Sequence, residues 1–156
     1  MHLCDKNMLF KQKILFQFQQ IVNDRVDAFQ DMISALTEDS KNDAKGSAGD
    51  KHETALSMMH IEQEKLNKKL TEILLQKAIL DKIDVNQNSK KIAIGSLIRT
   101  NGMLLFMSTA LPKIIIDEKT IIAISPESPL GNKLLGNEVG FEFEINGSKY
   151  LIENIE

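Results

Sequence analysis

The sequence predicts an α+β protein of two modules in series, an N-terminal antiparallel helical hairpin of the coiled-coil kind followed by a small β-sheet domain with one short helix. Three observations carry that prediction. Two long stretches lack glycine and proline and repeat apolar residues at helical spacing; a polar, glycine-containing stretch separates them; and beyond residue 84 the pattern turns to short apolar runs punctuated by Asn-Gly.

The first helix is read over residues 6–36. Leu15, Phe18, Val22, Phe29, Met32 and Leu36 recur at steps of three, four or seven, which sets them on one stripe. Arg25 interrupts the stripe at a heptad position, a departure that paired helices tolerate at a cost in stability. The second helix is read over residues 50–81, where Leu56, Met59, Leu66, Leu70, Ile73 and Leu80 share a face interrupted by Gln63 and Lys77. Residues 37–49 between them are polar and contain Gly46 and Gly49, which favour a reversal of direction. Residues 1–84 therefore read as a hairpin with an acidic tip at about 37–53. Arms of about 30 residues are on the order of 45 Å long, more than a small core requires, so the hairpin is expected to project. The same two helices would also suit half of a four-helix bundle completed by a second chain; a monomer is the expectation.

Residues 85–156 form the second module. Residues 85–90 are polar and suit a short linker, and Ile92, Ile94, Leu97 and Ile98 form a β-rich run. Asn101-Gly102 is a hairpin-turn signal with a return strand over 103–107, and Asn146-Gly147 is a second such signal. Further strands are expected at 114–116, 120–125, 138–145 and 150–155. A short helix fits residues 129–135, with Ser128 as N-cap, Pro129 at the first helical position and Gly136 ending it.

Composition narrows the function classes. Aromatic residues make up 5% of the chain, with no Trp and one Tyr, which leaves little from which to build a base-stacking platform. The formal net charge of −3 points away from direct phosphate binding and toward a protein partner. Cys4 is the only cysteine, so no internal disulfide can form, and a reducing, cytoplasmic setting is expected. No stretch approaches the roughly 18 apolar residues of a membrane span, and Asp5 and Lys6 interrupt any signal-peptide core.

The segment from Ile124 through Ser125-Pro126-Glu127-Ser128-Pro129-Leu130, Leu134-Leu135-Gly136 and Val139-Gly140 resembles the C-terminal signature of the bacterial Gre transcript cleavage factors. In that family an Ile-Ser strand end, a Ser-Pro-Leu helix start, a Leu-Leu-Gly helix end and a Val-Gly strand start follow at this spacing. The likeness extends over most of residues 92–156. It implies an FKBP-like domain that docks on RNA polymerase at the rim of the secondary channel. It does not imply prolyl isomerase activity, since function lives in the site and not the fold, and Tyr150 alone is poor material for an aromatic isomerase pocket.

Gly49-Asp50-Lys51-His52-Glu53-Thr54-Ala55 is similar to the family's Gly-Asp-x-x-Glu-Asn-Ala tip. The resemblance places the family's two tip carboxylates on Asp50 and Glu53 and implies that they are donated to the polymerase active site, where they help hold Mg²⁺ and stimulate cleavage of backtracked RNA. Thr54, Leu56 and Ser57 depart from the family's pattern, which keeps open a regulator that enters the channel without cleavage, and a structural protein that dimerises through its hairpin. Read from the residues alone, Asp50 and Glu53 also fit a helix start of the capping-box kind, with both carboxylates at the positive end of the helix dipole. Glu38, Asp39 and Asp43 are acids of the same region. His52 and His60 are eight residues apart, too far in rise to chelate one metal between them. Lys51, Lys65, Lys68 and Lys69 suit either a channel-facing side of the hairpin or, the plainer reading, solvated charge. No nucleophile, base and oxyanion set is legible, so the chain is not expected to be an enzyme and needs no cofactor of its own.

Overall fold

A computed structural model describes residues 9–45 and 50–156, with the side chains of 40–45 and 50–52 outside the description. Two helices packed against each other, α1 (Phe10–Lys45) and α2 (Asp50–Asp81), precede six strands and a short helix. The strands are β1 (Leu97–Thr100), β2 (Met103–Met107), β3 (Ile114–Ile116), β4 (Lys119–Ile124), β5 (Glu142–Ile145) and β6 (Ser148–Ile155), and α3 (Pro129–Leu134) lies between β4 and β5. The α+β class is as the sequence predicts. Among the described residues no helix is long and apolar enough to cross a membrane.

The chain divides into two compact units. One unit is Ile21–Lys77, the body of the helix pair; the other joins the chain up to Gln20 and Ala78–Glu156, so that the first turns of α1 and the end of α2 fold with the sheet.

Within the helical unit the α2 stripe is as the period predicts. Ile73 is buried, and Leu56, Met59, Gln63, Leu66, Leu70 and Lys77 are half-buried. On α1 the stripe drifts: Val22 and Val26 are buried and Phe29, Ile33 and Leu36 half-buried, while Met32, expected in the seam, is exposed. A 3.6-residue helix slips against a strict 3.5 repeat, and Ile33 takes the place that the heptad assigns to Met32. Helix α1 also continues past Leu36 to Lys45, through residues expected to belong to the tip loop. Polar residues without glycine or proline do not end a helix by themselves, and the first breaker is Gly46.

In the other unit the strands run in the order β3-β4-β2-β1-β6-β5. All neighbours are antiparallel except β2 and β4, which pair in parallel from Leu104↔Ile121 to Met107↔Ile124. One face carries Ile98, Leu105, Met107, Ile124, Phe143 and Ile152 packed with Ile92 and Leu134. Alternation puts Leu104, Phe106 and Ile121 on the opposite face, where Phe106 stacks on Phe18 of α1 with ring centroids 5.9 Å apart. Ile14, Phe18 and Leu80 are fully buried in this unit, each worth about 1.5–3 kcal/mol relative to exposure.

Both Asn-Gly turns form with positive φ at each central residue (44° and 81° at Asn101 and Gly102, 51° and 84° at Asn146 and Gly147), as a primed hairpin turn requires. The run expected as a strand from Ile92 becomes one only at Leu97. Ile92 instead exchanges backbone hydrogen bonds with the end of α3, donating to the Asn137 carbonyl (2.9 Å) and accepting from the Gly136 N–H (2.8 Å). Residues 138–141, expected as the start of a strand, are a turn with Gly140 at φ 97°, and β5 begins at Glu142.

Residues 85–90 are pinned. Asp84 accepts from the Asn86 N–H through Oδ1 (3.0 Å), and the Lys11 ammonium donates to the Gln87 carbonyl (3.2 Å). Lys11 is itself buried, and burial lowers its pKa below the usual lysine value, opposed by the carboxylates of Glu156 and Asp84.

Candidate functional site

The tip of the helix pair is built by the first turn of α2. Asp50 is the first residue of that helix, and Glu53 follows at i+3 with its side chain exposed. Residues three apart lie on the same helical face. The Asp50 side chain and Gly49 lie outside the described residues, and with them the capping arrangement.

The register of the tip is fixed by a hydrogen bond that the sequence does not announce. Gln63 of α2 donates through Nε2 to the Thr37 hydroxyl of α1 at 3.2 Å, and that hydroxyl donates back to the Ile33 carbonyl at 2.9 Å. The polar seam position at Gln63 is thereby satisfied rather than merely tolerated. With Thr37 level with Gln63, Glu38 and Asp39 fall beside Ile61 and Glu62. At 1.5 Å per residue they sit roughly 13 Å behind Glu53, on the flank of the pair. Both are exposed, and Asp43 lies on the last turns of α1 with its side chain outside the described residues. Continuation of α1 to Lys45 thus removes Glu38 and Asp39 from the immediate neighbourhood of the tip. Lys65, Lys68 and Lys69 are exposed, as solvated charge should be, and Lys69 makes an exposed ion pair with Glu72 at 3.6 Å. His60 is exposed and His52 lies outside the described side chains. Among the described residues no group of three or more His, Cys, Asp or Glu side chains is placed to hold a metal ion.

The second candidate surface is the segment from Ile124 to Gly140. Ser125 follows β4 and starts a tight reversal: its hydroxyl accepts from the Glu127 N–H (3.1 Å) and its carbonyl accepts from both the N–H (3.0 Å) and the hydroxyl (2.7 Å) of Ser128. Ser128 caps α3 by accepting from the Gly131 N–H at 3.0 Å, with Pro129 opening the helix. Gly131 has a steric reason to be glycine, because a Cβ there would collide with the Ser125 carbonyl. At the far end Gly136 takes φ 82°, and the Asn137 amide donates to the Lys133 carbonyl at 2.6 Å. Each quoted motif residue except Val139-Gly140 therefore sits where the resemblance expects a strand end, a helix start or a helix end.

Two cations that sequence reasoning passes over, Arg99 of β1 and Lys119 of β4, line a cleft on the sheet. The signal for Arg99 was available: it is the charged residue in the four-residue apolar strand Leu97–Thr100.

No protein-family model matches the chain, and no curated protein matches it. Among solved structures it is similar to one described as "Structure of the transcription factor Gfh1", with a TM-score of 0.33 and 17% identity over 92% of this chain and 91% of that one. That degree of likeness carries no residue role from one chain to the other.

Proposed function

We propose that the chain is a Gre-like transcription factor that inserts its helix pair into the secondary channel of RNA polymerase and stimulates cleavage of backtracked RNA. The observation that carries the reading is the first turn of α2, where the chain reverses and Asp50 and Glu53 stand one turn apart with Glu53 exposed. Support of a second kind comes from the Ser125–Gly136 reversal, whose Ser128 cap, Pro129 opening and positive-φ Gly136 account for the Ser-Pro-Leu start and Leu-Leu-Gly end of the signature it resembles. In this reading the FKBP-like unit docks on the polymerase and the tip supplies carboxylates. Mg²⁺, a hard cation that accepts one or two carboxylates and keeps water or phosphate on its other positions, fits such a pair. In the polymerase site the ion would activate water and stabilise the in-line transition state; Asp50 and Glu53 only hold and position it. The chain is then not an enzyme by itself and carries no resident cofactor.

Thr54, Leu56 and Ser57, which replace the family's residues after Glu53, favour one rival, a channel-entering regulator that does not cleave. Purified protein added to stalled, backtracked elongation complexes separates them. The proposal expects Mg²⁺-dependent shortening of the transcript that is lost in Asp50→Ala with Glu53→Ala, while the double variant keeps the wild-type thermal midpoint. Wild-type protein that cleaves no better than the double variant, yet competes with an authentic cleavage factor for polymerase, establishes the rival.

A further inference from the structure

Because β2 and β4 pair in parallel, the turns that precede them, Asn101-Gly102 and Asp117-Glu118, come to the same end of the sheet. The β2–β4 ladder begins at Leu104↔Ile121, and in front of it the two hairpins part. A cleft of about 530 Å³ opens there, lined by Arg99, Met103, Leu104, Glu118, Lys119 and Ile122 among others. A smaller cavity of about 150 Å³ shares Arg99, Leu104 and Lys119 with it and adds Phe10 and Glu156.

Both turns are braced from outside the cleft. The Asn101 amide donates to the Lys149 carbonyl (3.0 Å) and its oxygen accepts from the Leu151 N–H (3.3 Å). Asp117 is paired with Lys13 of α1 at 3.2 Å. Asp117 and Glu118 hold φ of 52° and 67° without a glycine, a conformation that persists where the surroundings enforce it. The opening is therefore preformed.

Its charge pattern is specific. Arg99 and Lys119 line both cavities, and among the described residues neither side chain has a carboxylate partner or a hydrogen bond; the Lys119 ammonium stands 5.2 Å from the centre of the Phe10 ring. Glu118 lines the larger cavity and Glu156 the smaller. Two unpaired cations over an apolar floor favour one anionic group with a hydrocarbon or aromatic body, while the flanking carboxylates repel a polyanion. The volume suits a small ligand, and an arginine fork matches carboxylate and phosphate alike.

We infer that this cleft binds a small amphipathic anion, a carboxylate or a phosphate monoester, with its charge between Arg99 and Lys119 and its apolar body against Met103, Leu104 and Ile122. The test is a chemical-shift titration of the isotopically labelled full chain with octanoate, octyl phosphate and, as the uncharged control, octanol. At least one of the anions should shift Met103, Leu104 and Ile122 saturably, and octanol should bind at least tenfold more weakly. The tighter anion tells carboxylate from phosphate. Arg99→Met and Lys119→Met, both at exposed positions, should each weaken binding about tenfold. Octanol binding as tightly as both anions, shifts confined to other surfaces, or Met variants that bind like wild type overturn the inference; the first two comparisons need no variant.

Discussion

Between Val26 on α1 and Ile73 on α2, following the chain through the tip, none of the described apolar side chains is buried, whereas the unit containing the sheet fully buries Phe18, Phe106, Ile98, Leu105, Met107, Leu134 and Ile152. One unit is held by particular shapes packed on both faces of a sheet. The other is held by backbone hydrogen bonds within two helices and by a seam that is buried at Val22, Val26 and Ile73 and only half-buried from there to the tip. A seam of that kind accepts many apolar sequences, since what it needs is period and rough size, while a close-packed core registers the loss of a single methylene.

The sharpest way to break the comparison is to remove one large side chain from each unit. Phe106→Ala, which deletes a ring stacked on Phe18, should cost about 3–5 kcal/mol in urea unfolding. Leu66→Ala, at a half-buried seam position, should cost about 1 kcal/mol. Equal losses would mean that the seam is packed like the core. The polar clamp sharpens the point: Thr37→Val leaves Gln63 without its partner and should cost about 1 kcal/mol, while Thr37→Val with Gln63→Leu should recover most of it, because replacing both partners by apolar groups is close to neutral. A double variant less stable than the single would show that the clamp specifies register.

The smallest effect concerns Lys11. Its folded-state pKa is lowered by burial, so the folded protein releases this proton at a lower pH than the unfolded chain does. The unfolded state then binds more protons between the lowered value and about 10.5, and stability should rise with pH through that window. The penalty is fully present below the folded pKa. Lys11→Met should remove this part of the slope, read as the difference between urea midpoints of the two proteins at pH 8 and pH 10.5. Parallel pH profiles would contradict it.

What the sequence made legible follows from how local each signal is. The α2 seam, the Asn101-Gly102 and Asn146-Gly147 turns and the capped α3 are written in a few adjacent residues, and each stands where those residues place it. The end of α1 was not legible, because Glu38, Asp39 and Ser40 suit a loop and an exposed helix equally, and the helix simply continues until a breaker. The Asp117-Glu118 turn lacks the glycine that would mark it, and its support comes from Lys13, far away in sequence. Phe18 looks like hairpin seam when only period is read, yet it packs on the sheet through Phe106. Of the candidate site, the Asp50 and Glu53 spacing was legible; the depth of Glu38 and Asp39 behind it depends on the Thr37–Gln63 register.

Strand β6 comes last in the chain and yet lies between β1 and β5, with Leu97 and Glu156 exchanging backbone hydrogen bonds of 2.9 and 2.8 Å. Synthesis on the ribosome therefore delivers the two units in opposite conditions. The helix pair needs only its own residues and can close as soon as α2 has emerged. Phe18 must wait for Phe106, and β1 must wait for the final strand, so a nascent chain halted before Ser148 carries β1 and β5 as two unsatisfied edges open to pairing with other chains.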